Sequence, residues 1–152
     1  NKVNNIEKAK FLLSQKDIRI LQSSSFYESL SWPNPKKPKF LNIVLKVSTR
    51  LTPLSLLGIC KKIESDLGRK KTPKNSPRIC DIDILDYKGQ IFKLYANNNK
   101  LNIPHPRLHN RNFVIIPLFE LNKEWIHPIS KLNIKKLILS LPNREIRSIK
   151  QI

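Results

Sequence analysis

Ile79-Cys80-Asp81-Ile82-Asp83-Ile84-Leu85 alternates apolar and acidic residues with a period of two. That period belongs to a β-strand, whose successive side chains point to opposite faces. Read as a strand, the stretch turns Cys80, Ile82 and Ile84 toward a core. Asp81 and Asp83 then look outward together, about 6.5–7 Å apart. Two carboxylates held that way repel each other, and a cation between them relieves the repulsion. Hard oxygen donors suit Mg2+, and such a pair could bridge two metal ions about 3.5–4 Å apart. A bare Asp-x-Asp is also common on solvated strand faces, so the motif alone does not decide a metal site.

Upstream, Thr52-Pro53 reads as a helix start, with Thr as N-cap and Pro at the first helical position. Leu56, Cys60, Ile63 and Leu67 then share one stripe, and Gly68 ends the helix. Arg69 to Arg78 is a loop rich in cations and proline: Arg69, Lys70, Lys71, Pro73, Lys74 and Pro77. Phe40–Thr49 is the clearest strand, with Leu41, Ile43, Leu45 and Val47 on one face and Phe40, Asn42, Val44 and Lys46 on the other. Leu30–Lys39, with Pro33, Pro35 and Pro38, is a loop, since prolines at that density join neither helix nor ladder. Nearer the start, Ile6, Ala9, Leu12 and Leu13 recur at helical spacing behind a cap at Asn5. Ile18–Leu21 is a strand running into the Ser-rich Gln22–Tyr27.

Downstream, Asp86-Tyr87-Lys88-Gly89 is a turn and Gln90–Leu94 a short strand. Asn97–Asn110 reads as polar loop around Pro104-His105-Pro106, and Phe113–Leu121 as part helix despite Pro117. Ile134, Leu137, Ile138 and Leu141 give a last amphipathic helix starting near Ser130, and Arg144–Ile152 an edge strand. Helices alternating with strands in this way predict an α+β fold, with helices packed on one sheet.

A chain of 152 residues suits one domain with a real core. No apolar run approaches the ~20 residues of a membrane-spanning helix, and no signal-peptide stretch opens the chain, so a cytoplasmic location is expected. Cys60 and Cys80 lack the spacing and His partners of a thiolate metal site and read as small core residues in a reducing compartment. The net charge of +18 attracts polyanions, whether nucleic acid, an anionic membrane surface or a nucleotide triphosphate. Part of it reflects abundant lysine, asparagine and isoleucine, all residues of A/T-rich codons.

The clustered part carries more chemistry. Two of the 11 acidic residues stand directly after the cationic loop of Arg69, Lys70, Lys71, Lys74 and Arg78. Acids that hold metal beside cations that pair with phosphate oxygens are what a triphosphate–Mg complex requires. His105 and Arg111 add a second cationic group from another segment. On the Phe40–Thr49 strand, Phe40 offers a ring on which a flat heterocycle can stack, and Asn42 an amide that reads its polar edge.

These motifs occur in an order that resembles the 6-hydroxymethyl-7,8-dihydropterin pyrophosphokinase family. The series runs Ser24-Ser25-Phe26-Tyr27, Phe40-Leu41-Asn42, Ile63-Glu64, Leu67-Gly68-Arg69, then Ser76 through Leu85. Ile103-Pro104-His105-Pro106-Arg107, Asn110-Arg111-Asn112-Phe113-Val114 and Pro117-Leu118-Phe119-Glu120-Leu121 complete it. The resemblance implies transfer of the β,γ-pyrophosphoryl group of ATP to the hydroxymethyl group of a reduced pterin in folate synthesis, releasing AMP. It implies that Asp81 and Asp83 bind two Mg2+ ions, with Arg69 and Arg78 offsetting phosphate charge in catalysis. ATP would meet Lys61, Glu64, Arg69, Lys71, Arg78, Ile84, His105 and Arg111. The pterin would meet Ser29, Leu30, Trp32, Phe40, Asn42 and Phe113, with Phe40 and Phe113 sandwiching the ring. Lys71 stands where a loop arginine is frequent, and Asn75 where some members carry an aromatic residue.

The family's ferredoxin-like sheet has an apolar N-terminal strand ending in Gly-Ser-Asn, between the strands matching Phe40–Thr49 and Ile79–Leu85. This chain starts at the corresponding Asn, so a truncated single domain, 1–152, with that central strand missing is expected. A monomer binding neither membrane nor nucleic acid is expected too. Two readings compete. A nucleic-acid-binding module would use the charge with Phe26, Tyr27, Trp32 and Phe40, but no RNA-binding signature accompanies them. A non-catalytic oligomerisation domain leaves the Asp81/Asp83 pair and the basic loop without purpose.

Overall fold

The computed structural model describes residues 1–31, 36, 38–68, 79–96 and 99–152. Helix α1 spans Lys2–Ser14 and is capped by Asn1, whose side chain accepts the Val3 N–H at 3.0 Å. Asn5, the expected cap, lies inside the helix, its own N–H bonded to the Asn1 carbonyl. Helix α2, Pro53–Asp66, forms as the sequence predicts: Thr52 accepts the Ser55 N–H, Pro53 opens the first turn, and Leu56, Cys60 and Ile63 are buried. It stops at Gly68, whose φ of +94° disfavours a side chain and where a Cβ would meet Ile79 Cδ1 at 3.1 Å.

The strands form three small antiparallel sheets. β1 (Ile18–Ser23) pairs with β4 (Leu45–Thr49), while β2 (Tyr27–Ser29) lies between β3 (Phe40–Asn42) and β7 (Lys150–Gln151). β5 (Phe92–Ala96) and β6 (Asn99–Ile103) make a hairpin. The single strand expected over Phe40–Thr49 is therefore two. Ser24 bonds Val44 through both its N–H and its Oγ, each at 2.9 Å, at the point where the paired ribbon passes from one sheet to the other. β6 lies where a polar loop was expected. Its Leu101 and Ile103 are buried, which outweighs the weak strand preference of the asparagines around them. The turn expected at Asp86–Gly89 forms one residue later, at Tyr87–Gln90, with Lys88 and Gly89 both at positive φ.

Ile79–Leu85 departs from expectation in one respect. It alternates in burial as a strand does, but among the described residues it pairs with no other strand. β4 likewise has a described partner, β1, on one edge. Cys80, Ile82 and Ile84 still pack with Leu45 and Val47 against the core of Ala9, Leu13, Ile18, Leu56, Cys60, Ile63 and Leu67. Both cysteines are free.

A second core gathers Leu108, Val114, Ile115, Trp125, Ile134, Leu137 and Leu141. It is built by α3 (Asn112–Leu121), which accommodates Pro117, and α4 (Ile134–Leu139), capped by Asn133 rather than begun near Ser130. The expected C-terminal edge strand is mostly helix α5 (Asn143–Ser148), leaving β7 as its remnant. No described helix is long and apolar enough to cross a membrane.

His127 sits at this second core, its Nδ1 accepting the N–H groups of Ile129 and Ser130 at 3.2 Å and its ring edge-on to Trp125 and His109. Burial, helped by His109 and opposed by Asp86, lowers its pKa below the usual 6.5. The neutral ring thus contributes stability above the unfolded-state pKa, and that contribution is lost as pH falls through the folded value. Acidification from about pH 8 to about pH 5 is expected to lower the thermal midpoint, and His127→Asn to reduce that pH dependence. An unchanged pH profile in the variant would contradict this assignment.

Candidate active site

The Ile79–Leu85 segment is tied down from behind. Glu64, on α2 and 1% exposed, accepts the Ile82 N–H at 2.8 Å, and Lys61 reaches both its carboxylate oxygens at 3.1 and 3.2 Å. At the segment's end the Leu85 carbonyl accepts the His105 N–H at 3.0 Å. With its backbone held and its isoleucines inward, the segment has Asp81 and Asp83 both exposed, as the period of two requires.

A second segment meets the pair at Asp83. Arg111 donates from Nη1 to Asp83 Oδ2 at 3.2 Å, and His105 Nε2 lies 3.7 Å from the same oxygen. His105 Nδ1 accepts the Arg107 N–H, which puts the ring proton on the nitrogen facing Asp83. Burial pushes the His105 pKa below 6.5 despite the pull of Asp83, with Arg111 and Arg107 adding to the fall. The imidazole is therefore neutral near pH 7 and acts as a donor rather than a charge. Arg111 also lies over the Phe113 ring, 5.4 Å from its centroid, so one guanidinium touches both an Asp of the pair and the first turn of α3.

Asn112 holds that turn in place. Its buried amide donates to the Glu145 carbonyl at 2.6 Å and to Ser148 Oγ at 3.1 Å, anchoring the start of α3 to α5.

The other group of expected residues lies on β2 and β3, where Ser29 faces Phe40 and Tyr27 faces Asn42 in the ladder. Asn42 donates its amide to Ser29 Oγ at 3.0 Å and to the Tyr27 carbonyl at 3.3 Å. That leaves Oδ1 as the part of Asn42 available to a ligand. Ser29 is buried, whereas Phe40 is 43% and Leu30 44% exposed. An aromatic ring held in the open beside a fixed amide is a surface that a flat heterocycle would cover.

Trp32, Arg69, Lys71 and Arg78, together with the rest of the basic loop, lie outside the described residues. Glu64 is buried behind the acidic segment, with its carboxylate on the Ile82 backbone, so its place in the fold is that of a support. Ile84 is packed against the first core. Among the described residues no cluster of three or more His, Cys, Asp or Glu side chains is arranged around a metal position. Two exposed carboxylates on one face fit hard divalent ions that take their remaining ligands from phosphate and water. An open groove of about 700 Å³ lies elsewhere, along Lys16–Ile20 and Ser48–Arg50, and carries none of these groups.

Residues 1–123 match the family model described as 7,8-dihydro-6-hydroxymethylpterin-pyrophosphokinase. The chain belongs to that family. Among curated relatives, the folic acid synthesis protein FOL1 of Dictyostelium discoideum is 42% identical over 124 residues, covering 81% of this chain and 18% of that protein. The 2-amino-4-hydroxy-6-hydroxymethyldihydropteridine pyrophosphokinase of Aquifex aeolicus is 40% identical over 119 residues, which is 78% of this chain and 72% of the relative. The pyrophosphokinase of the same name from Haemophilus influenzae is 38% identical over 113 residues, 74% and 68% of the two chains. The chain thus spans less than a fifth of the Dictyostelium protein and about seven-tenths of the two bacterial pyrophosphokinases.

Sequence reasoning missed two supports, the Asn112 anchor and a set of hydrogen bonds to Glu120. For Glu120 a signal was present: it is a lone acid in the apolar run Pro117-Leu118-Phe119-Glu120-Leu121.

Proposed function

We propose that this chain transfers the pyrophosphoryl group of MgATP to the hydroxyl of 6-hydroxymethyl-7,8-dihydropterin, giving the pterin diphosphate and AMP, a step of folate synthesis. The observation that carries the reading is the junction at Asp83. An exposed carboxylate pair on an anchored segment meets Arg111, and Arg111 covers Phe113, in a chain of the pyrophosphokinase family.

In this reading the pterin stacks between Phe40 and Phe113, with Leu30 and Trp32 at its side and the Asn42–Ser29 pair reading its edge. Its hydroxyl oxygen attacks the β-phosphorus in line, the bond from that phosphorus to the α-phosphate oxygen breaks, and AMP leaves as the hydroxyl proton is released. Asp81 and Asp83 would hold two Mg2+ ions, which would supply Lewis-acid neutralisation of the triphosphate. Arg69, Arg78, Lys61, Lys71, His105 and Arg111 pair with phosphate and nucleotide groups, and Glu64 and Ile84 hold the wall behind them. No dedicated general base is required, because such transfers depend mainly on alignment and charge neutralisation. We place the enzyme in the cytoplasm, in keeping with its free cysteines, and propose that it acts as a monomer.

The test is AMP formation from ATP. It is expected to require both Mg2+ and the pterin and to be indifferent to added RNA. AMP formed without the pterin, or none formed with every component present, would overturn the reading.

A further inference from the structure

Glu120 lies in the last turn of α3, seven residues after Phe113 in the first. Seven residues are two helical turns less about 20°, so the two side chains leave α3 on the same side, about 10 Å apart along its axis. The Glu120 carboxylate receives three donors from one short stretch: the Ser25 N–H at 3.0 Å, Ser25 Oγ at 2.9 Å and the Tyr27 hydroxyl at 2.9 Å. Gln151 of β7 donates in turn to Ser25 Oγ at 3.1 Å.

Tyr27 is buried, and it is also the residue that faces Asn42 in the β2–β3 ladder and accepts the Asn42 amide on its carbonyl. A continuous path therefore runs from Phe113 along α3 to Glu120, across to Tyr27, and on to the strand that carries Asn42 and Phe40. Burial and the Glu120 carboxylate push the Tyr27 hydroxyl up to about 12, so it remains a donor at any working pH. Burial acts to raise the Glu120 pKa, but the Ser25 N–H, the Tyr27 hydroxyl and the Ser25 hydroxyl together hold it below the ordinary 4.5. The clasp is a charged acceptor with neutral donors.

We propose that Glu120 is a positioning residue for the pterin, setting the separation between the Phe113 side and the Phe40–Asn42 side by locking the rotation of α3 against β2. This rests on the pterin reading above, and it concerns a residue that touches neither substrate.

The test compares dissociation constants for 6-hydroxymethyl-7,8-dihydropterin and for a non-hydrolysable ATP analogue, measured separately. Glu120→Gln is expected to weaken pterin binding about tenfold and to leave nucleotide binding within about twofold. Tyr27→Phe, which removes one hydroxyl and keeps the ring, is expected to act in the same direction by about threefold. A merely structural loss would lower the folded fraction and affect both ligands alike.

The decisive readout is coupling. In a Phe113→Leu background, which retains an apolar side chain, Glu120→Gln is expected to cost less than about twofold, because the wall it positions is already altered. Unchanged pterin affinity in Glu120→Gln, equal weakening of both ligands, or the same penalty in both backgrounds would overturn the inference and leave the pterin reading standing. Absence of pterin binding by the unaltered chain would overturn both.

Discussion

Asp83→Ala is expected to reduce turnover by about 10³-fold or more, with pterin affinity within about threefold of the unaltered chain. The asymmetry follows from where the residue sits. Asp83 is the point at which the exposed acidic segment meets Arg111 and His105, so its loss removes the proposed metal ligand and releases the guanidinium at once. Phe40 and Asn42 lie on β3, held by β2 and by bonds to Ser29 and Tyr27 that do not involve Asp83. Steady-state kinetics with varied Mg2+, together with a pterin titration, check the two halves separately. Normal Mg-dependent turnover in the variant would remove the metal assignment.

Glu64→Ala is expected to lower stability by about 3 kcal/mol, through loss of a buried acceptor and the cavity left behind. In a domain of this size that corresponds to a fall of about 10 °C in the thermal midpoint. The carboxylate is almost fully enclosed and fixes the Ile82 N–H and Lys61, and no other described strand bonds to the acidic segment. Once it is removed, the middle of the acidic segment loses its tie to α2, and its packing through Cys80, Ile82 and Ile84 must bear more of the orientation of Asp81 and Asp83. Turnover in the folded fraction is therefore expected to fall as well. A melting temperature within about 2 °C of the unaltered chain would contradict the support assigned to Glu64.

What could be read from the sequence was what local chemistry specifies. Thr52, Pro53 and Gly68 mark the two ends of α2 because an N-cap, a fixed φ and a left-handed stop act within a few residues. The outward pair Asp81 and Asp83 followed from the period of two, whether or not a ladder forms around it. The break at Ile43–Val44 was invisible for the opposite reason: alternation continues through it, and the break is made by Ser24, 20 residues away. β6 was hidden because its strand is made by pairing with β5 and by burial of Leu101 and Ile103, neither of which the asparagines around them signal. Asn5 has the chemistry of a cap, but the first turn forms four residues earlier, on Asn1.

The site divides along the same line. Phe40, Asn42, His105 and Arg111 were identified as exposed or charged residues in a familiar order, and the structure brings His105 and Arg111 onto Asp83. The supports behind them, Glu64 under Ile82, Asn112 on α5 and Glu120 on Ser25 and Tyr27, are contacts between segments distant in the chain. A lone acid in an apolar run can mark such a residue, as at Glu120, but no local pattern names its partners. They appear only once helices and strands are packed.

The central claim is that a diphosphate unit, rather than a single phosphate, moves from nucleotide to pterin. ATP radiolabelled only at its β-phosphorus tests it directly. The account requires the label to appear in the pterin product in step with unlabelled AMP. Label retained in ADP, or left in ATP while the pterin stays unmodified, would contradict it.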